Sequence, residues 1–195
     1  ESKQKGIFHI YTIGGYSEIG RNMTALKYKD EVVIFDMGVH LESYIKYKSD
    51  DDLELYSKKE LINVGAIPDD KILNELKNNV IAIIPSHGHL DHIGAIPFSA
   101  EYYDAPVICS PYTASVIKAI LKDKNKVIDN EIVTLRLNKK LKLSQNITIE
   151  LINVTHSIPD TALVVVHTPD GSVMYANDFK LDDNPTFQSK PNYKR

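Results

Sequence analysis

The sequence predicts an α/β fold, and three observations carry that prediction. Residues 7–36 read as a three-strand meander that ends on an acid. Val80 to Ile84 is continuously apolar, the pattern of a strand covered on both faces. Pro111 to Lys122 has proline in its first turn and Val116, Ile117, Ile120 and Leu121 at helical spacing.

Each element follows from local residues. Ile7 to Ile13 alternates apolar and polar side chains and reads as a strand, closed by Gly14-Gly15. Met23 to Tyr28 is a second strand. Lys29-Asp30-Glu31 turns the chain into a third, Val32 to Asp36. Residues 37–69 read as a long loop with an acidic run at 50–52 and one short helix, capped by Ser57 and running through Leu61. Pro68-Asp69 starts a helix through about Lys77. Asp91 to Tyr103 is expected to be largely helical, with an interruption at Pro97. Val107 to Ser110 is a short strand ahead of the 111–122 helix. The strands expected after it are Ile132 to Leu137, Lys140 to Leu143, Ile147 to Val154, Ala162 to Thr168 and Ser172 to Ala176. Pro169-Asp170-Gly171 is the turn between the last two. From Asp182 the chain turns polar, and 184–195 has no periodicity.

Composition narrows the class. The 195 residues are 43% hydrophobic and 25% charged, which excludes a wholly disordered or low-complexity chain. A net charge of −3 gives no basic excess of the kind that announces a nucleic-acid binder. The single cysteine, Cys109, excludes an internal disulfide framework and fits a reducing compartment. No apolar run approaches the roughly 20 residues that span a bilayer, so no membrane segment is expected. Glu1 to Gly6 lacks a signal-peptide core, and the absence of an initiator methionine predicts numbering that begins inside a longer chain.

The chemistry concentrates in the histidines. Three of the seven fall in window 87–92, where random placement would put about 0.2. The run Ser86-His87-Gly88-His89-Leu90-Asp91-His92 directly follows the apolar strand. In an extended stretch, residues two apart point the same way, so His87 and His89 can share one ion. A helix starting near Asp91 would turn Asp91 and His92 toward a neighbouring position. Imidazole and carboxylate together suit zinc, and also iron or manganese. Asp36, His156 and Asp178 each follow a strand. Taken singly, each has an ordinary explanation as a turn or hydrogen-bonded residue. Taken in series, they place an acid, a histidine cluster, a histidine and an acid at strand ends, which converge on one rim of a sheet in layered folds.

This series resembles the four metal motifs of the metallo-β-lactamase fold. The segments Gly15 to Asn22, His87 to Pro97, Thr155-His156-Ser157-Ile158-Pro159-Asp160 and Asp178-Phe179-Lys180 resemble the ribonuclease J family, and Leu61 to Asp70 resembles its archaeal branch. The implied architecture is a four-layered αβ/βα sandwich, incomplete here. Residues 1–182 would be the N-terminal portion of the metallo-β-lactamase domain, and 183–195 a linker toward an absent β-CASP domain.

By that resemblance, His87, His89 and His156 would hold one Zn2+, Asp91 and His92 a second, and Asp178 would bridge them. Asp36 would orient the ligands. Asp91, Asp178 and Asp36 are thus the acids expected to serve catalysis, and Ser157 is expected to contact substrate phosphate. A further histidine for the second metal comes later in the family, so the second site is expected to be incomplete. The implied function is a metal-dependent ribonuclease that hydrolyses RNA phosphodiester bonds through a metal-activated water. The full-length enzyme would be a 5′-to-3′ exonuclease with endonuclease activity, acting in the cytoplasm on 5′-monophosphorylated RNA, with a homodimer among its expected states. The alternatives are another hydrolase of this fold, acting on a thioester, lactone or DNA phosphodiester, and a non-catalytic metal-stabilised interaction domain.

Overall fold

A computed structural model describes residues 8–48 and 56–195, so the acidic run at 50–52 lies outside the described residues. Ten strands form two sheets. The first has six strands in chain order: β1 (Phe8–Gly14), β2 (Met23–Tyr28), β3 (Glu31–Phe35), β4 (Val80–Ile84), β5 (Val107–Cys109) and β6 (Ile132–Thr134). β1, β2 and β3 are antiparallel neighbours, while β3 to β6 run parallel. The second sheet is an antiparallel meander of β7 (Lys139–Lys142), β8 (Thr148–Asn153), β9 (Ala162–Thr168) and β10 (Gly171–Tyr175).

Alternation within the strands builds two cores. Along β3, Val32 and Ile34 face one way and Val33 and Phe35 the other, and all four are buried. The Val33 face meets Ile149, Leu151, Val164 and Val166 of the second sheet. The Ile34 face packs against helices. α1 (Leu41–Lys48), α2 (Lys58–Asn63), α3 (Leu90–Ile93), α4 (Ile96–Ser99) and α5 (Pro111–Asp123) cover that side. The described residues therefore form helices, sheet and sheet, and no described helix contributes to the core between the sheets. Cys109 is buried in the helix-side core, and burial pushes its thiol up to about 12. No helix among the described residues is long and apolar enough to cross a membrane.

Three segments differ from the sequence expectation. The described residues of 37–69 hold two helices, not one. α1 escapes the usual signal because its cap is His40, whose Nδ1 accepts from Ser43 N at 3.2 Å, and histidine is outside the favoured capping set. α2 has the expected Ser57 capping box with Glu60. The helix expected from Pro68 is a 3-10 helix, Lys71–Asn79. Asp70 at its start gives no side-chain cap, because its Oδ2 accepts from Lys58 Nζ at 2.6 Å and from Tyr103 at 2.7 Å. The expected helix over 91–103 is three short turns, α3, α4 and a 3-10 turn at Ala100–Tyr102. The first break falls at Gly94-Ala95, where Ala95 N bonds Met37 O at 2.9 Å. Pro97 instead sits in the first turn of α4, where its missing N–H costs nothing.

Residues 183–195 form no helix or strand, yet they are tied to the second sheet. Asn192 N bonds Asn153 O at 3.0 Å, and Asn153 Nδ2 donates to Lys190 O at 2.6 Å.

Candidate metal centre

Strand direction brings the motifs together. β3 and β4 are parallel, so Asp36 after β3 and His87 after β4 leave the first sheet at the same edge. β8 and β10 both run antiparallel to β9, so His156 and Asp178 leave the second sheet in a common direction. The loop after β3 is laced to the turn that carries Asp91 and His92. Met37 N bonds His92 O at 2.7 Å, Val39 N bonds Leu90 O at 3.1 Å, and Asn22 N bonds Asp91 O at 3.1 Å. Gly38 is required by this lacing, since a Cβ there would lie 1.5 Å from Asp91 O.

Two ligand sets result. One nitrogen each from His87, His89 and His156 lies within 4.8 Å of the others. His87 Nε2 faces His89 Nδ1 at 3.0 Å, and the His87 and His89 rings meet edge-on with centroids 4.8 Å apart. His87, His92 and Asp178 form a second set of the same tightness, so His87 belongs to both. Asp178 Oδ2 stands 3.5 Å from His92 Nε2 and 3.7 Å from His156 Nε2, between the two sets. Asp91 Oδ2 is 3.6 Å from His92 Nε2.

The donor chemistry fits a metal ion. Burial, followed by the charge of His92, pushes His87 down to about 3, so the imidazole is neutral and keeps a lone pair at neutral pH. His156 is also lowered, by burial first and His89 second. Three imidazoles turned edge-on toward one point cannot all be protonated, but they can share a dication.

Behind the ligands lies a polar brace. Asp36 is fully buried, with a positive φ of 57° that turns its carboxylate inward from the end of β3. Oδ1 accepts from Ser86 N at 2.7 Å; Oδ2 accepts from Ser86 Oγ at 3.0 Å and from Tyr175 Oη at 2.9 Å. His92 Nδ1 lies 2.8 Å from the same Oδ2. A proton on Nδ1 directed at Asp36 leaves the Nε2 lone pair facing Asp178. Burial alone would lower His92, but the Asp36 charge and hydrogen bond outweigh it and hold the ring above its ordinary value. The reciprocal effect holds Asp36 low despite its burial.

Of the residues expected as ligands, His87, His89, His92, His156 and Asp178 fall in the two sets, and Asp91 lies beside His92 outside both. Asp36 stands behind His92. Ser157 is exposed at the rim, its Oγ 3.5 Å from His89 Nε2. Of the other histidines, His40 caps α1 and His167 Nε2 lies 2.9 Å from Glu150, away from the centre. Sequence reading gave no role to Ser86 or Tyr175, and marked Asn22 only as the end of the segment Gly15 to Asn22. Asn22 Nδ2 lies 3.1 Å from His92 Nε2 and donates to Asp91 O at 3.0 Å. Their roles are not readable locally, because each acts on a partner 50 or more positions away.

Comparison with known proteins places this geometry. The metallo-beta-lactamase superfamily profile matches residues 17–190. Ribonuclease J of Methanocaldococcus jannaschii is 45% identical over 95% of this chain, which covers 41% of that protein. Ribonuclease J of Pyrococcus abyssi is 43% identical over 95% of this chain, again covering 41% of its length. The chain thus spans about two fifths of the length of these relatives. A protein of unknown function from Enterococcus faecalis V583 has the same fold, with a TM-score of 0.65 at 22% identity, over 90% of this chain and 44% of its own. The two-sheet architecture, the convergent histidines and the profile match agree: the chain belongs to the metallo-β-lactamase superfamily.

Proposed function

We propose that this chain carries the hydrolytic centre of a zinc-dependent ribonuclease that cleaves RNA phosphodiester bonds. The observation that carries the reading is the pair of ligand sets joined through His87, with Asp178 placed between them. The likeness to the ribonuclease J proteins directs it to RNA. In this reading His87, His89 and His156 hold one ion, Asp91 and His92 the second, and Asp178 serves both. Zinc bound there supplies Lewis-acid polarisation of a phosphoryl oxygen and lowers the pKa of water. Asp36 acts by fixing the His92 tautomer and the ring's direction, not by touching substrate. Ser157, exposed beside His89, offers a hydroxyl to a non-bridging phosphate oxygen.

The finer reading is a 5′-to-3′ exonuclease, also able to cut internally, acting in the cytoplasm on 5′-monophosphorylated RNA. A homodimer is among the states open to the full-length enzyme, with 183–195 leading out of the metallo-β-lactamase domain. The test is to incubate zinc-loaded protein with 3′-labelled RNA bearing a 5′-monophosphate or a 5′-triphosphate, with and without chelator. Zinc-dependent loss of nucleotides from the monophosphate end is expected. Hydrolysis of a thioester or lactone with intact RNA would overturn the assignment, and so would a protein that takes up no metal.

A further inference from the structure

On the His156 side of the centre lies a cavity of about 250 Å³ that neither ligand set uses as a whole. His156 and Ser157 form one wall, and Lys180, Phe187 and Gln188 contribute to the other. The walls are tied together. Lys180 N bonds Thr155 O at 2.8 Å, and Asp182 N bonds Thr155 Oγ1 at 3.1 Å. Gln188 Nε2 donates to His156 O at 2.9 Å.

That last bond orients the Gln188 amide and commits its nitrogen. The other end, Oε1, is buried without any hydrogen-bond partner. With almost none of its surface accessible, that oxygen meets no ligand, and the amide's part is to hold this segment against His156. Beside it the Phe187 ring is 90% exposed, which removes an apolar face from the core and presents it to solvent. Lys180 brings a cation two residues beyond Asp178. The one acid in the cavity wall, Asp182, turns its Oδ1 to Asn184 N at 2.9 Å within its own loop.

An exposed aromatic face and a cation beside a phosphodiester-cleaving centre match the base and the phosphate of a nucleotide. We infer that this cavity is a nucleotide subsite for single-stranded RNA. One base stacks on Phe187, while Lys180 meets a backbone phosphate. The volume is below the roughly 300–1,000 Å³ of drug-sized pockets and suits one base. Every RNA base has a π-face, so the subsite tolerates sequence, as stacking platforms do. The inference rests on the RNA reading above.

The test uses zinc-loaded protein and a 3′-fluorescein hexaribonucleotide with hydrolysis-resistant phosphorothioate linkages, read by anisotropy, with zinc content measured in parallel. Phe187→Ala is expected to weaken binding about tenfold with zinc content unchanged. Its ring is outside the core, so loss of fold does not confound the result. Lys180→Gln is expected to reduce the slope of log K against log salt by about 0.7, the share of one phosphate on a single strand. If both variants bind as the parent does, the subsite is wrong and the RNA reading survives. If the parent itself binds no RNA, both fall together.

Discussion

The Tyr175 hydroxyl donates to Asp36 Oδ2 at 2.9 Å, on the same oxygen that faces His92 Nδ1 at 2.8 Å. The Tyr175 ring also lies on Phe35, with centroids 4.8 Å apart and 7° between planes. One side chain of the second sheet therefore holds both the last strand residue of β3 and the acid that follows it.

Tyr175→Phe keeps the stacked ring and removes only the hydroxyl. A hydrogen bond to a charged group contributes about 1.5–3 kcal/mol, so a loss of that size is expected in chemical denaturation. An unchanged midpoint would mean that Ser86 and His92 alone satisfy Asp36.

His87 belongs to both ligand sets, whereas His89 belongs to one and His167 to neither. Under the proposed assignment, His87→Ala and His89→Ala should each lose mainly the first ion, and His167→Ala should match the parent. Elemental analysis after equilibration with zinc decides this. Equal losses from the His87 and His167 variants would refute the ligand assignment.

Gly38→Ala places a methyl group 1.5 Å from Asp91 O, in the lacing between the β3 loop and α3. Backbone must move to admit it, and overpacking of this kind costs roughly 1–3 kcal/mol or more. A lower denaturation midpoint and weaker zinc binding are expected together. Parent-like behaviour in both would show that the loop yields freely.

Glu150 is 3% exposed on the outer face of β8. Burial would raise its carboxyl, but hydrogen bonds from Arg195, His167 and Lys140 outweigh burial and hold it below its ordinary value of 4.5. A depressed acid adds stability above its unfolded pKa and loses that contribution as pH falls through the folded value. Glu150→Gln should cost roughly 1–2 kcal/mol near pH 7. The gap should close on acidification below about pH 4.5. Urea titrations of both proteins from pH 3 to pH 7 check the sign; a gap that widens toward acid would contradict it.

The candidate ligands were legible in the sequence because they sit in short runs tied to strand ends. His87, His89, Asp91 and His92 are local, and the strands before Asp36, His156 and Asp178 are strongly patterned. The supporting groups were not legible, because their roles exist only across long separations. Ser86 serves Asp36 from 50 positions away and Tyr175 from 139. α1 was hidden for a different reason: a histidine does the capping work usually signalled by serine, threonine or aspartate. The turns after α3 were misplaced because Ala95 satisfies its N–H on Met37, a partner that no helical periodicity reveals.

The proposed centre draws its candidate donors from both sheets: His87, His89, Asp91 and His92 follow strands of the first, His156 and Asp178 strands of the second. An ion bound among them is therefore a clasp across the seam between the layers. Thermodynamic linkage then adds its binding energy to their docking, about 4 kcal/mol at a thousandfold excess over Kd. Coupling of this kind runs both ways. A lesion far along the seam, at Leu151 or Val164, would loosen the grip on the ion without touching a ligand.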